Sequence, residues 1–510
     1  MSDDATRILI YAPRAVGPET PVPVGVAALN RSDFPMIIAQ CTVKAAYGAS
    51  EDSFRDESAW DREIVASNQL VDPHDRWCSA IGFAPPSDFA GIVKFEGQIS
   101  YQVPQTGIRR HVEDLVERLT TSRTDASTSS EREAAPSFGK EVTLPWQLET
   151  RVSPVEASIH QDWYAGDFFY SWLSQDGAEN GIPTEVAARA GDGLGLSWAC
   201  PILSCGSQLL TQREQESWDE LNTEIEQSSA EVLLVPTREY KPKNSAYSRF
   251  VLRTSGQTLN YAAGPFSGQE VESLEVFRRK AGPVDEEDPA MPPLAGLKVW
   301  NGYFAEEDVR DQFHWGTNLW TELLLSGERK TLIGGSDGLA ELAFREGRPV
   351  SRVQLADGKR EHAFGTIRTL VHCPQGLSID NLLNGLKDGR AIVSEGPVAS
   401  FVLHNELGET ASIGGSLQGR RFRVSVRATS TQYCGDFQEV VVRRGDFAEQ
   451  TEQIELLLMA GVAEDMKSIH FEDDLDIPVG SQGYLRIEAY TKRDDRVFYV
   501  FTNPIWITAI

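Results

Sequence analysis

The chain has 510 residues, 41% of them hydrophobic and 24% charged, which is ordinary for a globular protein and long enough for about three domains of 100 to 200 residues. Its 75 acidic and 48 basic side chains give a net charge of −27, a surface that repels phosphate backbones and anionic lipid, so nucleic acid and membranes are excluded as expected partners. The opening MSDDATRILIYAPR has no basic stretch followed by a long apolar run, and no run of about 18 apolar residues occurs, so a cytoplasmic location is expected.

From the N-terminus, ILIYAP, VPVGVAAL, MIIAQCTVKAAY and GIVKFEGQISYQV alternate in short apolar runs broken by Pro and Gly. These are strands, and without a Gly-rich loop after any of them they predict a β-sandwich over 1–120. HVEDLVERLTTSR places Val112, Leu115, Val116 and Leu119 on one helical face. The Ser-, Thr- and charge-rich stretch Thr121 to Lys140 lacks periodicity, so 121–145 is assigned as a linker.

From 146 to 397 strand and helix alternate. VEASIH, GLGLSWACPIL and AEVLLVP read as strands; GIPTEVAARAGD, capped near Thr184, and SWDELNTEIEQSSA, capped by Ser217, read as helices. Single helices between strands imply parallel pairing, in a barrel or an open sheet. The loop Lys280 to Pro293 interrupts the pattern before GLKVWNGYF, and SIDNLLNGLKDG, capped by Ser378 and closed near Gly389, leads into RAIVSEGP. From 398 to 510 the chain returns to β character. RFRVSVRATS sets Phe422, Val424 and Val426 on one face and Arg421, Arg423 and Ser425 on the other, and YLRIEAYT, RVFYVF and NPIWITAI continue a second sandwich.

Six cysteines are scattered along the chain. Cys200 and Cys205 form the only close pair, and with no second pair to complete a zinc cage they read as free buried thiols. His314, His362 and His372 have no spaced partners and read as packing or capping residues. Trp163, Tyr164, Phe168, Phe169, Tyr170 and Trp172 form a dense aromatic run, read as helical or loop packing with a ligand wall as the alternative.

The segments LKVWNGYF, WTELLLSGERKTLIGGSDG and FGTIRTLVHCPQGLSIDNLLNGLKDGRAIVSEGP, in that order, resemble the last third of the PHP (polymerase and histidinol phosphatase) metallohydrolases, in the carbaryl hydrolase-type CehA/McbA branch. The ending YLRIEAY…FTNPIWI is similar to the sandwich that follows the barrel there. The resemblance covers roughly residues 155 to 510. It implies an α/β plus all-β protein, a PHP-like distorted (β/α) barrel flanked by two β-sandwiches.

The resemblance also implies a metal site, and its pattern reaches this chain eroded. The opening motif falls on Ser158 to Asp162, with His160 at the first ligand position and Asp162 in place of a second histidine. The next segment offers Cys200, the one after it Glu239 beside Arg238, and the later histidine segment has Arg253 instead. The last ligand pair reduces to Asp337, followed by Gly338 and Leu339 where a histidine is expected. His160, Glu239 and Asp337 could together hold one zinc, manganese or iron, with Asp162 or Asp337 as general base; no metal at all is the other reading. Arg238 and Arg253 suit an anionic ligand without hydrolysis. Each residue also has a plain structural reading: a core histidine for His160, a turn cap for Asp337, a surface ion pair for Glu239 and Arg238. The expected function is therefore a binding or scaffold protein that has lost most metal ligands, with a small molecule or a protein as partner and self-association left open. The alternative is a single-metal hydrolase of a carbamate, ester or phosphoester.

Overall fold

The computed structural model describes the chain from Thr6 to Ile510 except 13–14, 17–20, 31, 33–34, 49–60, 74, 87–88, 90, 103–140, 153–161, 173–181, 183, 206–209, 229–230, 243–247, 255–256, 264–274, 276, 278–292, 302–306, 337, 339–341, 346–347, 350–363, 460–465 and 495. The described part is strand-rich with few helices, and its strands fall into four sheets. No described helix is long and apolar enough to cross a membrane. The helix expected around Val112 to Leu119, the linker residues Thr121 to Lys140 and the strand expected at VEASIH lie outside the described residues.

Two five-stranded sheets face each other across an apolar core that includes Ile8, Val24, Ile38, Phe95 and Trp146. One contains Thr6–Tyr11, Val22–Asn30 and Arg76–Phe83; the other contains Met36–Gly48, Asp61–Val71, Gly91–Gln102 and Val142–Val152. Asp61–Val71 and Arg76–Phe83 were not read from the sequence. Val22–Asn30 is buried at every position, because its second face is covered by the helix Thr184–Gly193. Gly25 permits that approach, since a Cβ there would lie 2.3 Å from a methyl of Val186. Val142–Val152 pairs antiparallel with Gly91–Gln102, so this strand crosses the expected boundary at 145. Leu342–Arg345, from the middle of the chain, pairs with Thr6–Tyr11 at the edge of the first sheet.

The largest sheet has 16 strands. Its first half runs Thr331–Gly335, Gly296–Asn301, Thr258–Ala263, Ser248–Arg253, Thr237–Tyr240, Trp198–Cys205 and Trp163–Ser171. The pairings across single helices are parallel, as expected: Trp163–Ser171 with Trp198–Cys205 around Thr184–Gly193, and Gly296–Asn301 with Thr331–Gly335 around Glu307–Leu325. Thr237–Tyr240, Ser248–Arg253 and Thr258–Ala263 pair antiparallel with one another, so the half is mixed.

This half curls until Thr331–Gly335 faces strands on its far side. Among the described residues no continuous ladder closes this half, and one parallel bridge, Tyr170 to Gly338, joins the two ends. Side chains satisfy the open edge instead. Asn503 accepts from Leu332 N at 2.7 Å and donates to Leu332 O at 3.0 Å, while Thr369 Oγ1 accepts from Gly334 N at 3.0 Å and donates to Gly334 O at 2.7 Å. A buried strand edge must find partners for its amides, and here the polar side chains of Thr369 and Asn503 supply them.

The aromatic run is a correction: Trp163–Ser171 is a strand, consistent with the preference of aromatic side chains for pleated, half-buried surfaces. The second helix also starts earlier than expected. It spans Gln212–Gln227 with Thr211 as N-cap, and Thr211 and Glu214 form a capping box, leaving Ser217 buried inside the helix. Ser378 does cap Ile379–Lys387, and Gly389 follows with φ of 72°.

The large sheet continues through Arg368–His372, Ala391–Ser394 and Arg496–Thr502 into Gln482–Arg493 and Asp436–Asp446, where it packs on a four-stranded sheet containing Phe422–Thr429. Phe422, Val424 and Val426 are buried in that core as expected, and Arg421 and Arg423 are exposed. Glu395 is buried where the two halves meet and accepts from Tyr499 N at 3.1 Å. Burial pushes its carboxyl up to about 7 against the opposing pull of Arg496 and the Tyr499 bond. A raised carboxyl favours folding fully below the ordinary value of 4.5, and that contribution is lost as pH rises through about 7. Glu395→Gln is therefore expected to match the parent near pH 5 and to exceed it by about 2 kcal/mol at pH 8, read from urea midpoints at the two pH values.

Candidate functional site

The curled half holds a buried carboxylate that the sequence reading missed. Asp167 lies in Trp163–Ser171 and is fully buried. Its Oδ1 accepts from Ser336 N at 2.9 Å; its Oδ2 accepts from Gly365 N at 2.7 Å and from the Ser336 hydroxyl. Thus one side chain ties the first strand of the curl to the residue just past its last strand and to the turn at Gly365. Gly365 has φ of 73° and a Cβ there would meet Leu194 at 2.5 Å, so the close turn that aims its amide at Asp167 depends on glycine. An ionised carboxylate taken out of water needs such donors, and three of its acceptor positions are filled by the fold itself.

The neighbouring side chains are apolar or neutral, and by strand alternation Phe168 lies on the face opposite Asp167. Phe168 stacks edge-on against Trp198 and Tyr261, with centroids 5.8 and 5.4 Å apart, and Tyr170 does so against Phe364 at 5.2 Å. Burial pushes the Cys200 thiol up to about 12; a bond from Thr237 opposes this and Asp167 adds to it. Burial likewise raises the Tyr170 and Tyr261 hydroxyls. Cys200 is therefore a protonated buried thiol at neutral pH, in keeping with its structural reading and unsuited to ligating a metal without losing that proton.

Those residues chosen from the sequence that are described, Asp162, Arg238, Glu239 and Arg253, are dispersed. His160 and Asp337 lie outside the described residues. Asp162 precedes the Trp163 strand, has φ of 72° and accepts through its carbonyl from Cys373 N at 2.8 Å. It lies by His372, whose ring stacks on Trp163 at 5.2 Å and whose pKa is lowered by burial and by Arg390, with Asp162 opposing. Glu239 is near the opposite end of the parallel strands. Gly166 pairs with Trp198 while Ser204 pairs with Glu239, which separates Asp162 from Glu239 by roughly 30 Å along the strand direction at about 3.3 Å per residue. They do not form one site.

Glu239 accepts from Ser204 Oγ at 3.4 Å and shares its sheet face with Phe250. Arg238 sits on the other face and lies over the ring of Trp218 at 5.6 Å, packing the helix Gln212–Gln227 onto the sheet. Arg253, diagonal to it, is exposed and bonds Thr258 at 3.4 Å. Because side chains alternate faces along a strand, neither arginine points toward the Glu239 face. Among the described residues no group of three or more His, Cys, Asp or Glu could hold a metal ion, and the buried Asp167 carboxylate already accepts three hydrogen bonds.

Asp167 did leave a signal in the sequence. Aspartate is depleted in strands and almost never fully buried unpaired, so an aspartate inside a run of six aromatics is out of place unless it is held by the fold or used in chemistry.

No family model and no curated protein matches the chain. Among solved structures it is similar to a two-domain protein from Bacteroides vulgatus ATCC 8482 containing a predicted PHP-like metal-dependent phosphoesterase, with 10% identity, 64% of this chain and 90% of that chain covered, and a TM-score of 0.26. It is also similar to a Bacteroides uniformis β-glucuronidase, with 9% identity, 99% of this chain and 61% of that chain covered, and a TM-score of 0.18. A Paenibacillus cycloisomaltooligosaccharide glucanotransferase gives 8% identity, 98% of this chain, 70% of that chain and a TM-score of 0.16. At such TM-scores the likenesses carry no argument about fold or activity.

Proposed function

We propose that this chain is a binding or scaffold protein on a PHP-like framework, without hydrolytic chemistry. One observation supports this reading most: the buried carboxylate of the curled sheet, Asp167, holds Ser336 and Gly365. A catalytic or ligating carboxylate has to keep lone pairs for water, substrate or metal. The separation of Asp162 from Glu239 and the packing role of Arg238 on Trp218 point the same way. The partner would be a small molecule or a protein. The single-metal hydrolase, with His160, Glu239 and Asp337 as ligands, is the reading the test is built to revive.

The test is metal content by plasma mass spectrometry on protein purified without a metal-binding tag, comparing the parent with His160→Ala and Glu239→Ala. We expect no stoichiometric zinc, manganese or iron in any of the three, including after incubation with each ion. Near-stoichiometric metal in the parent that disappears in either variant would overturn the proposal and justify an esterase and phosphodiesterase screen.

A further inference from the structure

One cavity away from the Asp167 site concentrates positive charge in a chain whose net charge is −27. Its volume is about 490 Å³, and it opens where the start of Thr331–Gly335 meets the end of the helix Ile379–Lys387 and the turn Ile413 to Gly415. Ser336, which holds Asp167, follows the other end of that same strand. Arg329, Lys330, Lys387 and Arg390 line the cavity, against one carboxylate, Asp388. We propose that it binds a compact, multiply charged oxyanion: phosphate, or the phosphoryl group of a small phosphomonoester.

Lys330 is engaged, since its Nζ donates to Leu294 O at 2.8 Å and pairs with Glu328 at 3.4 Å. The other three cations have capacity left. Lys387 is exposed, and among the described residues neither it nor Arg329 has a carboxylate partner. Arg329 lies over Trp506 at 5.0 Å and donates to Ser416 Oγ at 3.1 Å, contacts that hold its guanidinium at the cavity without neutralising it. Arg390 pairs with Asp388 at 3.3 Å through one terminal nitrogen, while its Nε is buried without an acceptor.

The scaffold around these cations is fixed. Gly414 has φ of 85°, and a Cβ there would lie 2.5 Å from Asp388 O and 2.9 Å from Arg390 N, so the glycine turn is pressed against the loop that carries Arg390. The exposed hydroxyls of Thr410, Ser412 and Ser416 complete a lining of donors. Helix-end electrostatics accounts for Lys387 and Arg390, which follow the last carbonyls of Ile379–Lys387, but not for Arg329, which enters from another element. Guanidinium and ammonium groups converging with hydroxyls suit the oxygens of a phosphoryl group, and the volume leaves room for a small organic moiety attached to it.

The inference does not depend on whether the curled sheet is catalytic. It is tested by isothermal titration of the full chain with inorganic phosphate and with glycerol phosphate, at ionic strength held constant with chloride. Saturable binding of either is expected, weakened about fivefold by Lys387→Ala and further by Lys387→Ala with Arg329→Ala, and unchanged by Lys492→Ala on a distant strand. Tighter binding of glycerol phosphate assigns the site to an organic phosphomonoester, and equal binding assigns it to free phosphate. Absence of saturable binding by both probes overturns the proposal. So does an equal loss in Lys492→Ala and Lys387→Ala, because binding would then follow overall charge. Lys387 and Lys492 are both exposed, so neither variant removes packing from the fold.

Discussion

Asp167→Ala is expected to lower the stability of the folded chain by about 4 kcal/mol, enough to remove much of the margin of an ordinary domain. The substitution strips the acceptor from Ser336 N, the Ser336 hydroxyl and Gly365 N, all in a fully buried setting. Each donor left without a partner costs about 1 to 3 kcal/mol. The measurement is the urea midpoint, with the slope checked so that a loss of stability is not confused with a looser denatured state. The result also bears on function. Carboxylates kept for chemistry tend to cost stability, and removing them often raises it. A fall of several kcal/mol marks Asp167 as a tie between strands, whereas a gain would return it to the list of reacting groups and weaken the scaffold reading.

Arg486→Met should have an effect of similar size for a different reason. Arg486 is buried, donates to Glu452 at 2.7 Å from both Nε and Nη2 and to Glu488 at 2.5 Å, and lies over Trp320 at 5.1 Å. Methionine fills much of the same space but leaves two half-buried carboxylates facing each other with Arg443 as their remaining cation, a loss of about 3 kcal/mol. Burial pushes the Glu488 carboxyl up, and Arg486 with Arg443 more than offsets it, so that it titrates below its ordinary value of 4.5. A lowered carboxyl gives stability that is present above 4.5 and lost as pH falls through the folded value. The difference between parent and Arg486→Met should therefore be largest at neutral pH and shrink in acid, read as denaturation midpoints at pH 7 and pH 4. Adding Glu452→Gln and Glu488→Gln to Arg486→Met should recover most of the loss. A triple variant no better than the single one would show that packing against Trp320, and not charge, carries the effect.

What could be read from the sequence was local. The alternation in VPVGVAAL and RFRVSVRATS marks strands because one or both faces are buried, and Ser378 caps its helix because its hydroxyl accepts from Asn381 N, a contact three residues away. Asp61–Val71 was missed because it is mostly exposed, so no apolar face imposes a pattern on DREIVASNQLV. Thr211 and Glu214 carry a capping box in plain view, overlooked in favour of Ser217 beside Trp218. The closure of the curl was beyond local reading, since Asn503 and Leu332 are 171 residues apart in the chain and nothing near either announces the other. The site reading rests on His160 and Asp337, which lie outside the described residues. The opening motif was laid on residues up to Asp162, before the strand begins at Trp163, while the carboxylate that the fold buries is Asp167.

The pairing of Leu342–Arg345 with Thr6–Tyr11 sets an order of events during synthesis. Thr6–Tyr11 must wait for a strand that leaves the ribosome more than 300 residues later, which at about 5 to 20 residues per second is a delay of roughly 20 to 70 seconds. Through that interval the nascent sandwich presents an open strand edge, the kind of surface to which another unfinished chain can add. That partner follows the curled region in the chain, so completion of this sheet is timed by the growth of a part made later.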